Sequence, residues 1–97
     1  MKRVLEDFPE LTVVGAHFGG WSCWRQAAET LSEHKNFYVD CSSSFDWFDR
    51  TESKELIDLY GADHVLFGTD FPMWNYETEL QHFAKINLSE EERKLIL

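Results

Sequence analysis

Three short apolar runs punctuate the chain: Leu11-Thr12-Val13-Val14-Gly15-Ala16, Phe37-Tyr38-Val39 and Val65-Leu66-Phe67. Each is too short for a helix and is rich in β-branched or aromatic residues. None alternates strictly with polar positions, which is the pattern of strands buried on both faces. The stretches between them carry helical spacing instead. Trp24 to His34 sets Trp24, Ala27, Ala28 and Leu31 on one face; Thr51 to Tyr60 does so with Leu56, Leu59 and Tyr60, and Gly61 follows as a C-terminal cap. Glu77 to Ile86 offers Leu80, Phe83 and Ala84. A last helix opens at Ser89, where Glu92 three residues on completes a capping box. Lys2 to Asp7 reads as a helix end stopped by Phe8-Pro9, because proline disfavours α geometry in the residue before it.

The expected order is therefore α-β-α-β-α-β-α-α over residues 1–97, with no linker or domain boundary. Strands separated by single helices imply parallel neighbours joined by right-handed crossovers. The strands recur at intervals of about 25 residues, close to the ~30-residue length of a βαβ unit. In such a sheet all strand C-termini share one edge, and that edge is where βα loops build active sites.

Three ionisable groups fall on it. The first strand runs into His17, the second into Asp40 and the third into Gly68-Thr69-Asp70. An imidazole and carboxylates are the ligand types used by divalent ions such as Zn²⁺ or Mn²⁺. For Asp70 the plain alternative is a helix N-cap, for His17 a hydrogen-bonded strand end. Asp40 divides evenly between touching substrate and orienting a loop. All four tryptophans follow strands on this same side: Trp21 and Trp24, Trp47, and Trp74. Aromatic walls around a few polar groups suit a small-molecule pocket, and equally suit plain loop packing. Gly19 and Gly20 suit a tight turn with close backbone approach. Arg25, just behind them, could meet a substrate carboxylate, although ion-paired helix arginines are commoner. His34, His64 and His82 belong to helix ends or faces, outside the site.

Composition narrows the partners. A net charge of −9 over 97 residues, with no Lys/Arg stripe, argues against nucleic acid. No run approaches the ~18 apolar residues that span a bilayer. The Met1-Lys2-Arg3 start has no apolar segment behind it, so no signal peptide and a cytoplasmic location are expected. Cys23 and Cys41 lack metal-type spacing and read as reduced thiols.

His17-Phe18-Gly19-Gly20 after a buried strand resembles the His-x-Gly-Gly segment after strand six of the amidohydrolase-related family. That family includes metal-dependent hydrolases and decarboxylases of the aminocarboxymuconate-semialdehyde and resorcylate types. Phe67-Gly68-Thr69-Asp70-Phe71-Pro72, about fifty residues later, resembles its Phe-Gly-Thr-Asp-x-Pro signature after strand eight. Phe37-Tyr38-Val39-Asp40-Cys41-Ser42 is similar to its strand seven, and residues 88–97 to the helix that leads towards an Asn-Ala segment. The resemblance implies an α/β fold consisting of the C-terminal three βα units of a (β/α)₈ barrel.

It also implies roles. Asp70 would ligate a divalent metal, Zn²⁺ first, and handle a proton of metal-bound water; His17 would polarise water or substrate, or ligate a second metal. Trp21, Trp74 and Arg25 are the candidate substrate contacts. The parent activity expected first is hydrolysis of a small organic molecule, with non-oxidative decarboxylation as the alternative. The family's His-x-His pair and fifth-strand histidine are absent from residues 1–97, so the ligand set is incomplete. A chain with only this half-site is expected to be inactive alone, or to be a non-catalytic assembly fragment. It is also expected to self-associate or pair with the missing part of the barrel, because three parallel strands leave two open edges and an apolar patch of barrel-interior residues, drawn from Val13, Val14, Tyr38, Val39, Leu66 and Phe67, without partners across the core.

Overall fold

The computed structural model describes residues 2–20, 23–45, 47 and 49–97. Helix α1 (Lys2–Asp7) leads to β1 (Val13–Gly15), α2 (Trp24–Leu31), β2 (Phe37–Asp40), α3 (Arg50–Tyr60), β3 (Val65–Leu66), α4 (Tyr76–Ala84) and α5 (Glu90–Ile96). The strands form one sheet in the order β1-β2-β3. Both pairings are parallel, with Gly15 opposite Val39 and Val39 opposite Val65. This is the expected architecture and element order.

The strands are shorter than the apolar runs, for reasons visible in their hydrogen bonds. Asn36 Nδ2 donates to the carbonyls of Phe8 (3.3 Å) and Leu11 (2.9 Å), which holds the approach to β1 outside the sheet. Pairing begins only where Val13 N–H reaches Asn36 O at 2.9 Å. At the other end of the sheet, Phe67 N–H leaves the ladder and donates to Ile96 O at 3.0 Å. That bond ties the end of β3 to the last turn of α5.

Helix boundaries follow capping chemistry. Asp49 accepts from Glu52 N–H at 2.9 Å and starts α3 one residue earlier than its apolar spacing suggests. Asn75 likewise accepts from Glu77 and Thr78 N–H and starts α4 at Tyr76. Gly61, at φ 91°, closes α3 with its N–H on Ile57 O. The Ser89–Glu92 capping box is complete. Glu92 also meets Lys54, which in turn pairs with Asp58, so α3 and α5 are linked across the helical layer.

Burial departs from the expected strands covered on both faces. Val39 and Val65 are fully buried beneath the helices, with Phe37, Leu31, Leu56, Ile57, Phe83 and Ile96 among the core around them. The alternate positions face the other way: Val14 and Leu66 are 51% and 40% exposed. The helices are all packed against one face, so an apolar strand composition here coexists with an open second face. The thiols divide in the same manner. Cys23 is exposed and Cys41 buried, and burial pushes the Cys41 thiol up to about 12. Neither forms a disulfide. No helix among the described residues is long and apolar enough to cross a membrane.

Candidate active site

The loop after β1 is held from below. Tyr60 at the end of α3 donates its hydroxyl to Phe18 O at 2.9 Å, and burial raises that hydroxyl to about 12, so it stays a donor. The turn His17–Gly19 sits on this bond. Gly19 has φ +79°, and a Cβ there would lie 2.9 Å from the Tyr60 oxygen. The expected need for glycine is thus met at Gly19 by both conformation and space.

Each strand end then delivers a residue in the left-handed region: His17 (φ 55°), Ser43 (φ 51°) and Asp70 (φ 56°). For residues other than glycine this conformation is unfavourable by roughly 1–3 kcal/mol each, and it persists where surrounding contacts fix it. The three side chains meet. His17 Nε2 lies 3.4 Å from Asp70 Oδ2. Ser43 Oγ donates to the same oxygen at 2.7 Å, and Trp74 Nε1 donates to Ser43 Oγ at 2.7 Å. The hydrogen bond from Ser43 first, and that from His17 second, hold the Asp70 carboxyl below the usual carboxylate range. Oδ1 of Asp70 accepts no hydrogen bond among the described residues.

His17, Ser43 and Asp70 line a cleft of about 450 Å³ together with Trp47, Met73 and Trp74. Its walls are mainly apolar and its polar groups few, as in small-molecule sites.

The other candidates are placed elsewhere. Asp40 Oδ1 accepts from His17 N–H (3.2 Å), Ser42 N–H (3.0 Å) and Ser42 Oγ (2.5 Å). Its carboxylate therefore braces two loops, the orienting alternative. Arg25 forms an ion pair with Glu55 that joins α2 to α3, and it does not line the cleft. Its position on the exposed face of α2 turns the guanidinium towards α3 and away from the strand ends. Trp21 lies outside the described residues. Trp24 packs against the core at the start of α2, so the four tryptophans do not share one environment.

Ser43 and Met73 went unmarked as site residues in the sequence, and Trp47 was marked only as one of four aromatic walls. Ser43 sits within Ser42-Ser43-Ser44, a hydroxyl run directly behind a buried strand, and that run is the signal that could have found it.

A carboxylate whose Oδ1 is bonded by none of the described residues, next to an imidazole, supplies donor types that suit a divalent cation. Among the described residues no group of three His, Cys, Asp or Glu is arranged to hold a metal. The pair thus fits part of a coordination shell, the remainder of which needs donors from outside these strands.

The family model for amidohydrolases matches residues 1–97. The chain belongs to the amidohydrolase family. Among curated proteins, the γ-resorcylate decarboxylase of Polaromonas sp. is 29% identical over 96% of the chain and 33% of its own length. A Polaromonas dihydroxybenzoic acid decarboxylase, solved with bound manganese and the inhibitor 2-nitroresorcinol, superposes with a TM-score of 0.70. It is 26% identical, over 95% of this chain and 32% of that one. An uncharacterized TIM-barrel protein from Bordetella bronchiseptica superposes at a TM-score of 0.80, with 25% identity over 99% of this chain and 34% of its own. This amidohydrolase chain therefore spans about a third of the length of the relatives it matches, and its parallel sheet corresponds to part of their barrels.

Proposed function

We propose that this chain supplies part of the active site of a metal-dependent, non-oxidative decarboxylase acting on a hydroxylated aromatic carboxylate. The observation that carries the reading is the meeting of His17 and Asp70 at 3.4 Å in a cleft walled by Trp47, Met73 and Trp74. The sequence put hydrolysis first; the similarity to the Polaromonas decarboxylases supports the alternative instead.

Decarboxylation breaks the bond between a ring carbon and its carboxylate, and the electron pair left on carbon must take up a proton. A site for it needs a flat apolar slot, a group that fixes the substrate's oxygens and a proton relay at the reacting carbon. Trp47, Met73 and Trp74 offer the slot and exclude water. His17 and Asp70 hold a proton between Nε2 and Oδ2 at the cleft surface. Asp70 would hold a divalent cation together with donors from the rest of the barrel, and His17 would join as a ligand only in the alternative where its Nε2 does not carry that proton. When bound, that cation supplies positive charge for the substrate's oxygens. Manganese, present in the Polaromonas decarboxylase structure, is now the first ion to test and zinc the second.

A chimera tests this directly, with residues 1–97 replacing the matching third of the Polaromonas γ-resorcylate decarboxylase. Release of CO₂ from γ-resorcylate by the manganese-loaded chimera, lost with Asp70→Asn, is the expected result. A folded, metal-loaded chimera without turnover would favour a non-catalytic role, and ester or amide hydrolysis would return hydrolysis to first place.

The exposed Val14 and Leu66 on the open face support the further reading that the 97-residue chain alone self-associates or pairs with the remaining strands. Sedimentation velocity at micromolar concentration should show species larger than the 11.5 kDa monomer. A compact monomer alone would overturn that expectation.

A further inference from the structure

Asp70 is the candidate metal ligand, and the side chains that bond its carboxylate directly, His17 and Ser43, come from the other two strand ends. Trp74, on the same loop as Asp70, acts through Ser43. Trp74 Nε1–H can only donate, and it donates to Ser43 Oγ at 2.7 Å. That occupies an acceptor position of the hydroxyl and fixes the direction of its single proton. The proton points to Asp70 Oδ2, 2.7 Å away. A hydroxyl that could otherwise rotate and act as donor or acceptor is thereby held as a donor. The polarity of the chain runs one way, from indole to hydroxyl to carboxylate.

We propose that Ser43 and Trp74 are positioning residues, a relay of hydrogen bonds that clamps Oδ2 of Asp70 and so presents Oδ1 to a divalent cation. The proposal rests on the reading of Asp70 as a metal ligand and deepens it. Outer-shell hydrogen bonds to ligating groups typically change metal affinity by about 10–100-fold when removed. The relay also gives Ser43 a reason for its left-handed backbone at φ 51°. A residue three positions beyond the end of β2 must turn back to reach a carboxylate contributed by the loop after β3.

Ser43→Gly separates this role from a merely structural one. Glycine adopts φ > 0 without strain, so the variant keeps or improves the fold while removing the hydroxyl. The chain has four tryptophans, so the indole N–H region of a ¹⁵N–¹H spectrum is simple, and Trp74→Phe assigns the Trp74 signal. In the ¹⁵N-labelled chain, Mn²⁺ alone should broaden the Trp74 signal before that of Trp24, and Asp70→Asn should abolish the effect. Ser43→Gly should shift the Trp74 signal and require about tenfold more Mn²⁺ for equal broadening, with an unchanged melting temperature. Trp74→Phe, read on backbone amides near residue 70, should weaken Mn²⁺ binding in the same direction and by less.

If Asp70→Asn abolishes broadening while Ser43→Gly binds Mn²⁺ as well as wild type, the relay is refuted and Asp70 stands as the ligand. If Asp70→Asn leaves broadening untouched, the metal assignment itself falls and the relay falls with it. A Trp74 signal that ignores Ser43→Gly also overturns the relay, whatever the metal does.

Discussion

The ends of β2 and β3 each carry an aspartate near His17, and the two are used in opposite ways. Asp40 gathers three donors on one oxygen, two of them the N–H and the hydroxyl of Ser42 just past its own strand and one the backbone N–H of His17. Asp70 takes its donors from side chains on two other loops, both at Oδ2, while Oδ1 accepts no hydrogen bond among the described residues and the residue lines the cleft. Among the described residues both carboxylates are bonded at one oxygen only. The difference lies in the donors and the surroundings: two of the three donors to Asp40 are backbone N–H groups, so it holds loops in place, whereas Asp70 is bonded by side chains and lines the cleft with them. Proximity to a strand end does not by itself make a carboxylate functional; what it is bonded to and what it faces do.

This contrast predicts a division of effects. Asp70→Asn in the manganese-loaded chimera should reduce turnover by about 100-fold or more, because the amide keeps the shape but loses the charge and the proton-accepting oxygen. Its melting curve should overlay that of the parent chimera. Asp40→Ala should act through the fold instead. Removing an acceptor shared by three donors, one of them in a part-buried backbone turn, should cost about 2 kcal/mol in urea unfolding. Equal stability of Asp40→Ala and wild type would erase the distinction between the two residues.

Acid titration sharpens the same comparison. The Asp70 pKa is depressed, so its ionised form contributes to stability above the unfolded carboxylate value of about 3.9. That contribution disappears as pH falls through the lower folded value. The ¹³C carboxyl signal of Asp70 in metal-free protein should therefore titrate below about pH 3.9. In Ser43→Gly the midpoint should rise, since Ser43 is the larger cause. The smallest effect is expected at Arg25, whose pairing with Glu55 is exposed on both sides. Arg25→Ala should change stability by no more than about 0.5 kcal/mol and leave chimera turnover as it was.

What the sequence made legible was largely periodic or chemical in character. The parallel order follows from helical spacing between β-branched runs, and His17 and Asp70 stand where apolar runs end. Composition alone does not separate the open sheet face from the covered one, because Val14 and Leu66 are as apolar as the buried Val39 and Val65; the open face is legible only through the missing strands that the barrel resemblance implies. Apolar identity reports what a face is suited to meet, and the helices here meet only one side. Arg25 takes the commoner of its two readings, an ion pair with Glu55, because adjacency to Gly19-Gly20 along the chain says nothing of the direction in which α2 turns its side chains. Ser43 was missed because a hydroxyl acquires its role from partners 27 and 31 residues away in sequence. No local pattern reports such partners.

The left-handed backbone at His17, Ser43 and Asp70 has a consequence for how this sequence can drift. Glycine or asparagine would relax all three positions, so selection for a sturdier fold alone would move each of them away from its present residue. The three positions therefore set local backbone ease against the polar contacts their side chains make. Relaxing any one of them to glycine should ease the turn and remove the contact together.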